Sequence, residues 1–343
     1  MNDGSVARAA QTSPRPRRAW LSLLLGASVS ALALWFIART VNLNETLAAL
    51  ASAQLGWFAL AFLVQMLAAL CSLKRWQLLL APYATRFLAL AQIYLIAHVL
   101  NTLLPAKLGT VARVLLAAEW EKLNTGFVLG SVAIEKALDT LVMLILLAAL
   151  APFVPLDAWL RDSIVLSVFL ALGAAFVLLF FRQIREPLLD LGARMEARVM
   201  GNRVQLVTGF VRGVFESVLI LTRRREAVSI LFWTVVVWVA GVLVNQLLFV
   251  ALNLHVPWSA AWLVMVLLQI GTRVPALPAS LGVFHSIVFY ALTLYGVDAN
   301  TALAYAILLH LIVFILPAFI GAACALPVSA RLVELLTNGG RAK

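Results

Sequence analysis

Glu135, Lys136 and Asp139 stand close together in an apolar run, 127–150, that is long enough to cross a bilayer as a helix. An ionisable group at the membrane centre costs about 2.5–3.5 kcal/mol on insertion scales, so such groups persist where they pair or face water. Helical spacing puts Glu135 and Asp139 on one face at i,i+4, and Lys136 within pairing reach of Asp139 at i,i+3. Two readings fit. In one, the charges point into a helix bundle and supply a counter-charge or proton site. In the other, the span is shifted toward Val154 and the charges sit at its cytoplasmic end.

More polar residues gather at two interruptions in apolar sequence. Asn101, Lys107 and Arg113 accompany Leu104-Pro105-Ala106-Lys107-Leu108-Gly109, and Gln269, Thr272, Arg273 and His285 accompany Leu277-Pro278-Ala279-Ser280-Leu281-Gly282. The pattern L-P-A-x-L-G therefore occurs twice. Pro removes a backbone donor, and a break inside the hydrocarbon is tolerated only where protein or a water-filled cavity covers it. Broken helices offer backbone N–H groups and positive dipole ends, which suit an anionic headgroup or phosphate. Lys107, Arg113 and Arg273 would add charge-assisted hydrogen bonds. The competing reading has Lys107 and Arg113 snorkelling to the interface. Lys74-Arg75-Trp76 ends an apolar run, so Arg75 is either an interfacial anchor or a member of the same polar set. His98 and His310 lie in apolar runs, where a hydrogen-bonded packing role fits.

The elements that must position these residues follow from composition. The 343-residue chain is 64% hydrophobic and 12% charged, with a mean hydropathy of +1.01, whereas a soluble domain is about half apolar and about a quarter charged. A water-soluble fold is excluded. Uninterrupted apolar runs lie near 19–38, 55–73, 127–150, 163–181, 227–252 and 301–327, and the regions 87–122 and 259–296 are the two broken ones. None shows the period-two alternation of a membrane barrel. The fold class expected is all-α, a polytopic integral membrane protein of about eight transmembrane helices. By count of crossings, 87–122 begins and ends on the cytoplasmic side and 259–296 on the outer side. Each is a re-entrant hairpin or a pair of full spans, opening to opposite faces in an inverted-repeat arrangement of the kind that surrounds transporter sites.

The net charge of +11 follows the membrane rather than a nucleic acid, because the basic residues are spread through the loops. With both termini cytoplasmic, the outer loops hold only Arg39 and Arg161, which satisfies the positive-inside rule for a bacterial inner membrane. The domain plan is a basic tail, 1–18, one membrane domain, 19–327, and a cytoplasmic tail, 328–343. The membrane domain divides at an Arg-rich stretch, 182–226, in which Val204, Val207, Val211, Val214 and Val218 recur at helical spacing. That stretch lies on the anionic leaflet or packs beneath the bundle. The apolar run after the N-terminal Arg residues is long enough to be kept as the first helix rather than cleaved. Cys71 and Cys324 fall in apolar runs and indicate neither a disulfide nor a metal site. No G-x-x-x-x-G-K-[ST], HExxH, CxxC or GxSxG occurs, so no cofactor and no nucleotide-driven pump are expected.

Arg75-Trp76, Asn101-x-x-Leu104-Pro105-x-x-x-Gly109-x-x-x-Arg113, Glu135-Lys136-x-x-Asp139 and Pro278-x-x-Leu281-Gly282-Val283-Phe284, in this order, resemble the lysylphosphatidylglycerol synthase transmembrane, or flippase-like, domain family. The resemblance covers about residues 20–327. It implies an integral membrane domain that, in bifunctional members, translocates an aminoacylated lipid made by a separate soluble domain. This chain stops soon after its last span and is expected to lack that aminoacyltransferase. Where members often carry acids, after the first Gly and after G-V-F, this chain has Thr110 and His285. The function expected is translocation of a lipid with an anionic, aminoacylated, hopanoid or polyprenyl-phosphate character, without catalysis. Alternatives are a membrane scaffold for a lipid-modifying enzyme or glycosyltransferase, and an intramembrane enzyme. The expected partners are a membrane lipid, a lipid-synthesising enzyme and a second copy of the chain.

Overall fold

The computed structural model describes residues 16–104, 108–153, 173, 212–214, 216–272 and 277–325. Among them there are helices and no strands. In chain order they are α1 (Pro16–Thr40), α2 (Leu43–Ala51), α3 (Leu55–Leu79), α4 (Phe87–Leu103), α5 (Leu108–Trp120) and α6 (Thr125–Leu150). There follow α7 (Arg224–Ala251), α8 (Trp258–Gly271), α9 (Val283–Thr293), α10 (Ala299–His310) and α11 (Leu316–Ala325). A π-turn, Leu311–Ile315, makes α10 and α11 one continuous rod.

The helices are inverted relative to those of a soluble bundle. Along α7, Val228, Leu231, Phe232, Val235 and Val239 are exposed, and along α3 so are Leu60, Leu63, Leu67 and Leu70. These are i,i+3/i+4 stripes of large apolar residues turned outward, as lipid requires. The inward face of α3 carries Ala61, Ala68, Cys71, Ser72 and Arg75. Small side chains let helix backbones approach closely where no hydrophobic force draws them together, and α3 packs extensively on α7. By length and composition α3, α7 and the α10–α11 rod can each cross a membrane. The expected spans at 127–150 and 19–38 are helical as α6 and α1, and the one at 163–181 lies outside the described residues apart from Gly173.

Both interrupted regions are helix, break, helix. In each, the two arms pack on one another, α4 with α5 and α8 with α9. The arms have 17, 13, 14 and 11 residues. At 1.5 Å per residue the longest reaches about 26 Å and the shortest about 17 Å, less than the hydrocarbon thickness of about 30 Å. The packed core falls into two groups. One joins the C-terminal half of α6 to α7, α8, α9 and α10. The other joins the end of α3 to α4, α5 and the first half of α6, and includes Ile220. Ser217 is fully buried and lies against Gly130 of α6, so the described end of the Arg-rich stretch packs against the bundle. The rest of 182–226 lies outside the described residues.

Candidate functional site

Four charged side chains meet where the two core groups join. Glu135 and Asp139, one turn apart on α6, both face inward, and a guanidinium from another helix meets each. Arg75 of α3 holds Asp139 in a two-pronged contact, Nη1 to Oδ1 at 2.7 Å and Nη2 to Oδ2 at 3.3 Å. Arg113 of α5 holds Glu135 in the same way, Nη2 to Oε2 at 2.8 Å and Nη1 to Oε1 at 3.3 Å. Arg75 Nη2 also lies 3.5 Å from Glu135 Oε1, which fuses the two pairs into one network. Planar two-pronged pairing is the strongest arrangement open to these groups, and it is specific to Arg.

Burial decides between the readings of these residues. Relative exposure is 1% for Arg75, 2% for Glu135, 6% for Arg113 and 9% for Asp139. The charges therefore point into the bundle. The anchor reading of Arg75-Trp76 and the snorkelling reading of Arg113 are both wrong: Trp76 is fully buried, and its ring is a platform 3.8 Å from the Arg113 guanidinium carbon. Tyr94 contributes a second ring at 5.2 Å. Trp76 Nε1 donates to Ser131 Oγ at 3.1 Å, which fixes the indole against α6. Ion, ring and hydroxyl thus tie α3, α4, α5 and α6 together, and Thr234 of α7 lies at the edge, 3.5 Å from Arg75 Nη1.

Lys136 behaves differently. Its Nζ lies 3.6 Å from Asp139 Oδ2 and 3.9 Å from Glu135 Oε1, with the side chain 62% exposed. The expected i,i+3 pair is present, but Arg75 is the closer partner of Asp139. Arg75, Arg113 and Lys136 against Glu135 and Asp139 leave the cluster with one excess positive charge, at its open side. The Nε–H groups of Arg75 and Arg113 are buried and make no hydrogen bond among the described residues.

At the first break, Asn101 Oδ1 accepts from the Thr110 backbone N–H at 3.1 Å, so a side chain already takes one donor at the start of α5. A Cβ on Gly109 would lie 2.6 Å from the Asn101 backbone nitrogen and press on the Ala97 carbonyl. Glycine is what lets α5 lie against α4. Pro105 and Lys107 lie outside the described residues.

The second break is a short turn, Pro278–Ser280, that packs against α4 of the other interrupted region. Ala279 and Ser280 have φ of 55° and 54°, and Gly282 has φ 84°. Gly282 also abuts α1, since a Cβ there would lie 2.6 Å from the Ser30 carbonyl oxygen. The backbone groups freed by the turn find partners: the Leu277 N–H donates to Ser30 Oγ at 3.1 Å, and His310 Nε2–H donates to the Ala279 carbonyl at 3.0 Å. His98 does the same for the Phe314 carbonyl in the π-turn at 3.3 Å. Both histidines thus satisfy irregular backbone. The His285 ring lies 4.8 Å from that of His310, and no hydrogen bond or ion pair among the described residues joins it to the charge cluster. Arg273 lies outside the described residues.

Trp76, Tyr94, Ser131 and Thr234 were not legible as site residues. A Trp beside an Arg at the end of an apolar run reads as a membrane anchor, and the others look like ordinary residues of apolar helices. The usable signal is that an ion inside such a helix needs second contacts, and Ser and Thr are the small groups able to provide them.

Irregular backbone sealed by side chains and ion pairs enclosed among apolar helices define an all-α, membrane-embedded protein. The family model described as lysylphosphatidylglycerol synthase TM region matches residues 21–321, and the chain belongs to that family. No curated protein matches the chain.

Proposed function

We propose that this protein carries a lipid with an anionic headgroup across the bilayer, and that the Arg75/Arg113/Glu135/Asp139 cluster, with Lys136 at its open side, is where the headgroup is received. The observation that carries the reading is the excess cation. A purely structural network would balance its charges, whereas this one holds two guanidinium–carboxylate pairs and an exposed Lys136 beside them. Glu135 lies ten residues from the start of α6, about 15 Å along its axis, and Arg75 four residues from the end of α3, about 6 Å, so the cluster lies inside one end of the bundle, where it would relieve a charged group entering hydrocarbon. A buried two-pronged pair is rigid and directional. Oriented dipoles of that kind attract a phosphate without first being rearranged.

The two interrupted regions support the same reading. Their arms are too short to span, the Pro278–Ser280 turn packs on α4, and each break is held by specific contacts, which suits two re-entrant hairpins facing each other in an inverted repeat. In this arrangement Asn101, Pro105, Lys107 and Gly109 shape the first hairpin, and Arg273, Pro278, Gly282 and His285 the second. The headgroup passes along the polar interior while its tails stay in lipid, which avoids most of the desolvation cost. The positive-inside distribution puts the Leu79 end of α3, near the cluster, on the cytoplasmic side.

The test is reconstitution of the purified chain in vesicles carrying a fluorescently labelled anionic phospholipid in the inner leaflet. Label reaches the outer leaflet faster than in protein-free vesicles if the reading holds. The same rate in both would contradict it, and a chemically altered lipid would point to an intramembrane enzyme.

A further inference from the structure

A second polar station lies further along the same helices, and no charged side chain lines it among the described residues. Gln65 of α3, Asn245 of α7, Gln269 of α8, Thr272 just beyond α8, and the rings of Phe284 and Phe314 line a cavity of about 250 Å³. No Asp, Glu, Lys, Arg or His is among its lining residues. Gln65 is ten residues from Arg75 along α3, and Asn245 is eleven from Thr234 along α7, so the cavity is displaced about 15 Å from the charge cluster along both helices.

Of the three lining amides, only one takes part in holding the bundle together. Asn245 is the committed one: its Nδ2 donates to the Gly241 carbonyl at 2.8 Å, and its Oδ1 accepts from the Tyr305 hydroxyl at 2.6 Å. Gln65 and Gln269 have no hydrogen-bond partner among the described residues. Gln65 lies near the middle of the strongly apolar α3 and Gln269 in the last turn of the strongly apolar α8, beside the second break, where an unpaired amide is unfavourable unless a ligand or water meets it. Thr272 Oγ1 donates to the Leu268 carbonyl at 2.7 Å and keeps its oxygen free to accept. Gly241 helps to shape the wall, since a Cβ there would come within 2.6 Å of Met265 Cε.

From these residues we infer that the cavity binds a neutral, hydroxyl-bearing group: a glycerol or single sugar ring. Two primary amides each offer a donor pair and an acceptor, the complement of vicinal hydroxyls. Phe284 and Phe314 add apolar wall beside the amides, against which the C–H groups of such a ligand can rest. The volume lies just below the usual range for small-molecule sites, about 300–1,000 Å³, which suits a group this small. A cationic aminoacyl group is the poorer fit, because among the described residues no carboxylate lines the cavity to replace its hydration. This inference rests on the reading of the chain as a lipid-handling protein, and narrows the substrate to lipids whose headgroup carries hydroxyls but no ammonium.

Lipid retention tests it independently of transport. The full chain is placed in phosphatidylcholine nanodiscs containing equal amounts of phosphatidylglycerol, phosphatidylmethanol, lysyl-phosphatidylglycerol and a monoglycosyl diacylglycerol, and the lipids that co-purify after delipidation are measured by mass spectrometry. Phosphatidylmethanol has the phosphate and charge of phosphatidylglycerol without its hydroxyls. Phosphatidylglycerol and the glycolipid are retained over phosphatidylmethanol and the lysyl lipid, and Gln65→Leu with Gln269→Leu reduces that preference about tenfold, the effect of losing two neutral hydrogen bonds. Phosphatidylmethanol retention by the double variant stays unchanged, which shows that it is folded. The near-isosteric Thr272→Val provides a milder second variant and reduces the preference less. Free glycerol or glucose at millimolar concentration fails to displace the lipid if the ligand is a headgroup, and displaces it if the ligand is a soluble polyol; both results support hydroxyl recognition. Equal retention of phosphatidylglycerol and phosphatidylmethanol, or an unchanged preference in the double variant, overturns the inference. A chain that retains hydroxyl lipids selectively yet moves none would overturn the translocation reading and leave this one standing.

Discussion

The Arg113 guanidinium lies 3.8 Å above the Trp76 ring while its nitrogens grip the Glu135 carboxylate. The indole thus covers one face of a cation whose edge is engaged by an anion, a geometry that Lys cannot reproduce. Desolvated cation–π contacts reach about 2 kcal/mol. Trp76→Leu is expected to cost about that much stability, measured by unfolding of the purified protein in mixed micelles. Arg113→Lys, which keeps the charge but loses both the fork and the stacking, should lose a comparable amount. An unaffected Arg113→Lys variant would show that charge alone holds α5 to α6.

Arg75 and Asp139 are expected to be strongly coupled. Removing one partner of a buried pair leaves an uncompensated charge and costs about 3–5 kcal/mol, while replacing both with apolar residues costs far less. Arg75→Leu and Asp139→Leu should each destabilise severely. The double variant should be more stable than either, and a double-mutant cycle reads the coupling directly.

Gly109 and Gly282 are where backbones touch. Gly109→Ala forces α5 away from α4, with an overpacking cost of about 1–3 kcal/mol. Gly282→Ala adds the strain of a positive φ to a clash with the Ser30 carbonyl. Thermal unfolding of both variants in detergent checks this, with Gly56→Ala as a control because nothing lies near that position.

Asp298 caps α10 outside the membrane-spanning rod, accepting from the N–H groups of Asn300 and Thr301 at 3.1 and 3.0 Å. Partial burial acts to raise its pKa, and the hydrogen bonds from Thr301 and Asn300 outweigh that and hold it below the usual carboxylate range. Because the folded value is lowered, the stabilisation is present above the unfolded pKa and is lost as pH falls through the folded one. Asp298→Ala should cost about 1 kcal/mol near neutral pH, and the difference from the parent protein should vanish in strong acid. Stability measured for both between pH 2 and about pH 7 tests the sign.

The inward pair Glu135 and Asp139 was legible because i,i+4 spacing is local and ions in an apolar run stand out. Their partners were less so. Arg75 lies 64 residues from Asp139, and nothing local separates an Arg that turns into a bundle from one that anchors at the interface. The two breaks were legible from Pro and Gly, but the contacts that seal the second come from Ser30 and His310, residues remote in sequence. The first prong of the anion-binding expectation also changed: Asn101, expected to face a ligand, occupies the Thr110 N–H itself. Gln65 passed unnoticed because a lone Gln in an apolar helix has no pattern, and its meaning depends on which helix lies opposite.

The most direct test of the account is the initial rate at which labelled phosphatidylglycerol crosses proteoliposomes containing the parent chain, Lys136→Arg or Lys136→Gln. Lys136 is 62% exposed and only loosely paired, 3.6 Å from Asp139 and 3.9 Å from Glu135, whereas the two Arg forks hold those carboxylates more closely, so its variants should fold normally. The account predicts transport above protein-free vesicles by the parent and by Lys136→Arg, a rate roughly tenfold lower in Lys136→Gln, as expected for the loss of one charge-assisted contact, and no change for a zwitterionic lipid. Equal rates in the parent chain and Lys136→Gln, or no transport by the parent, would contradict it.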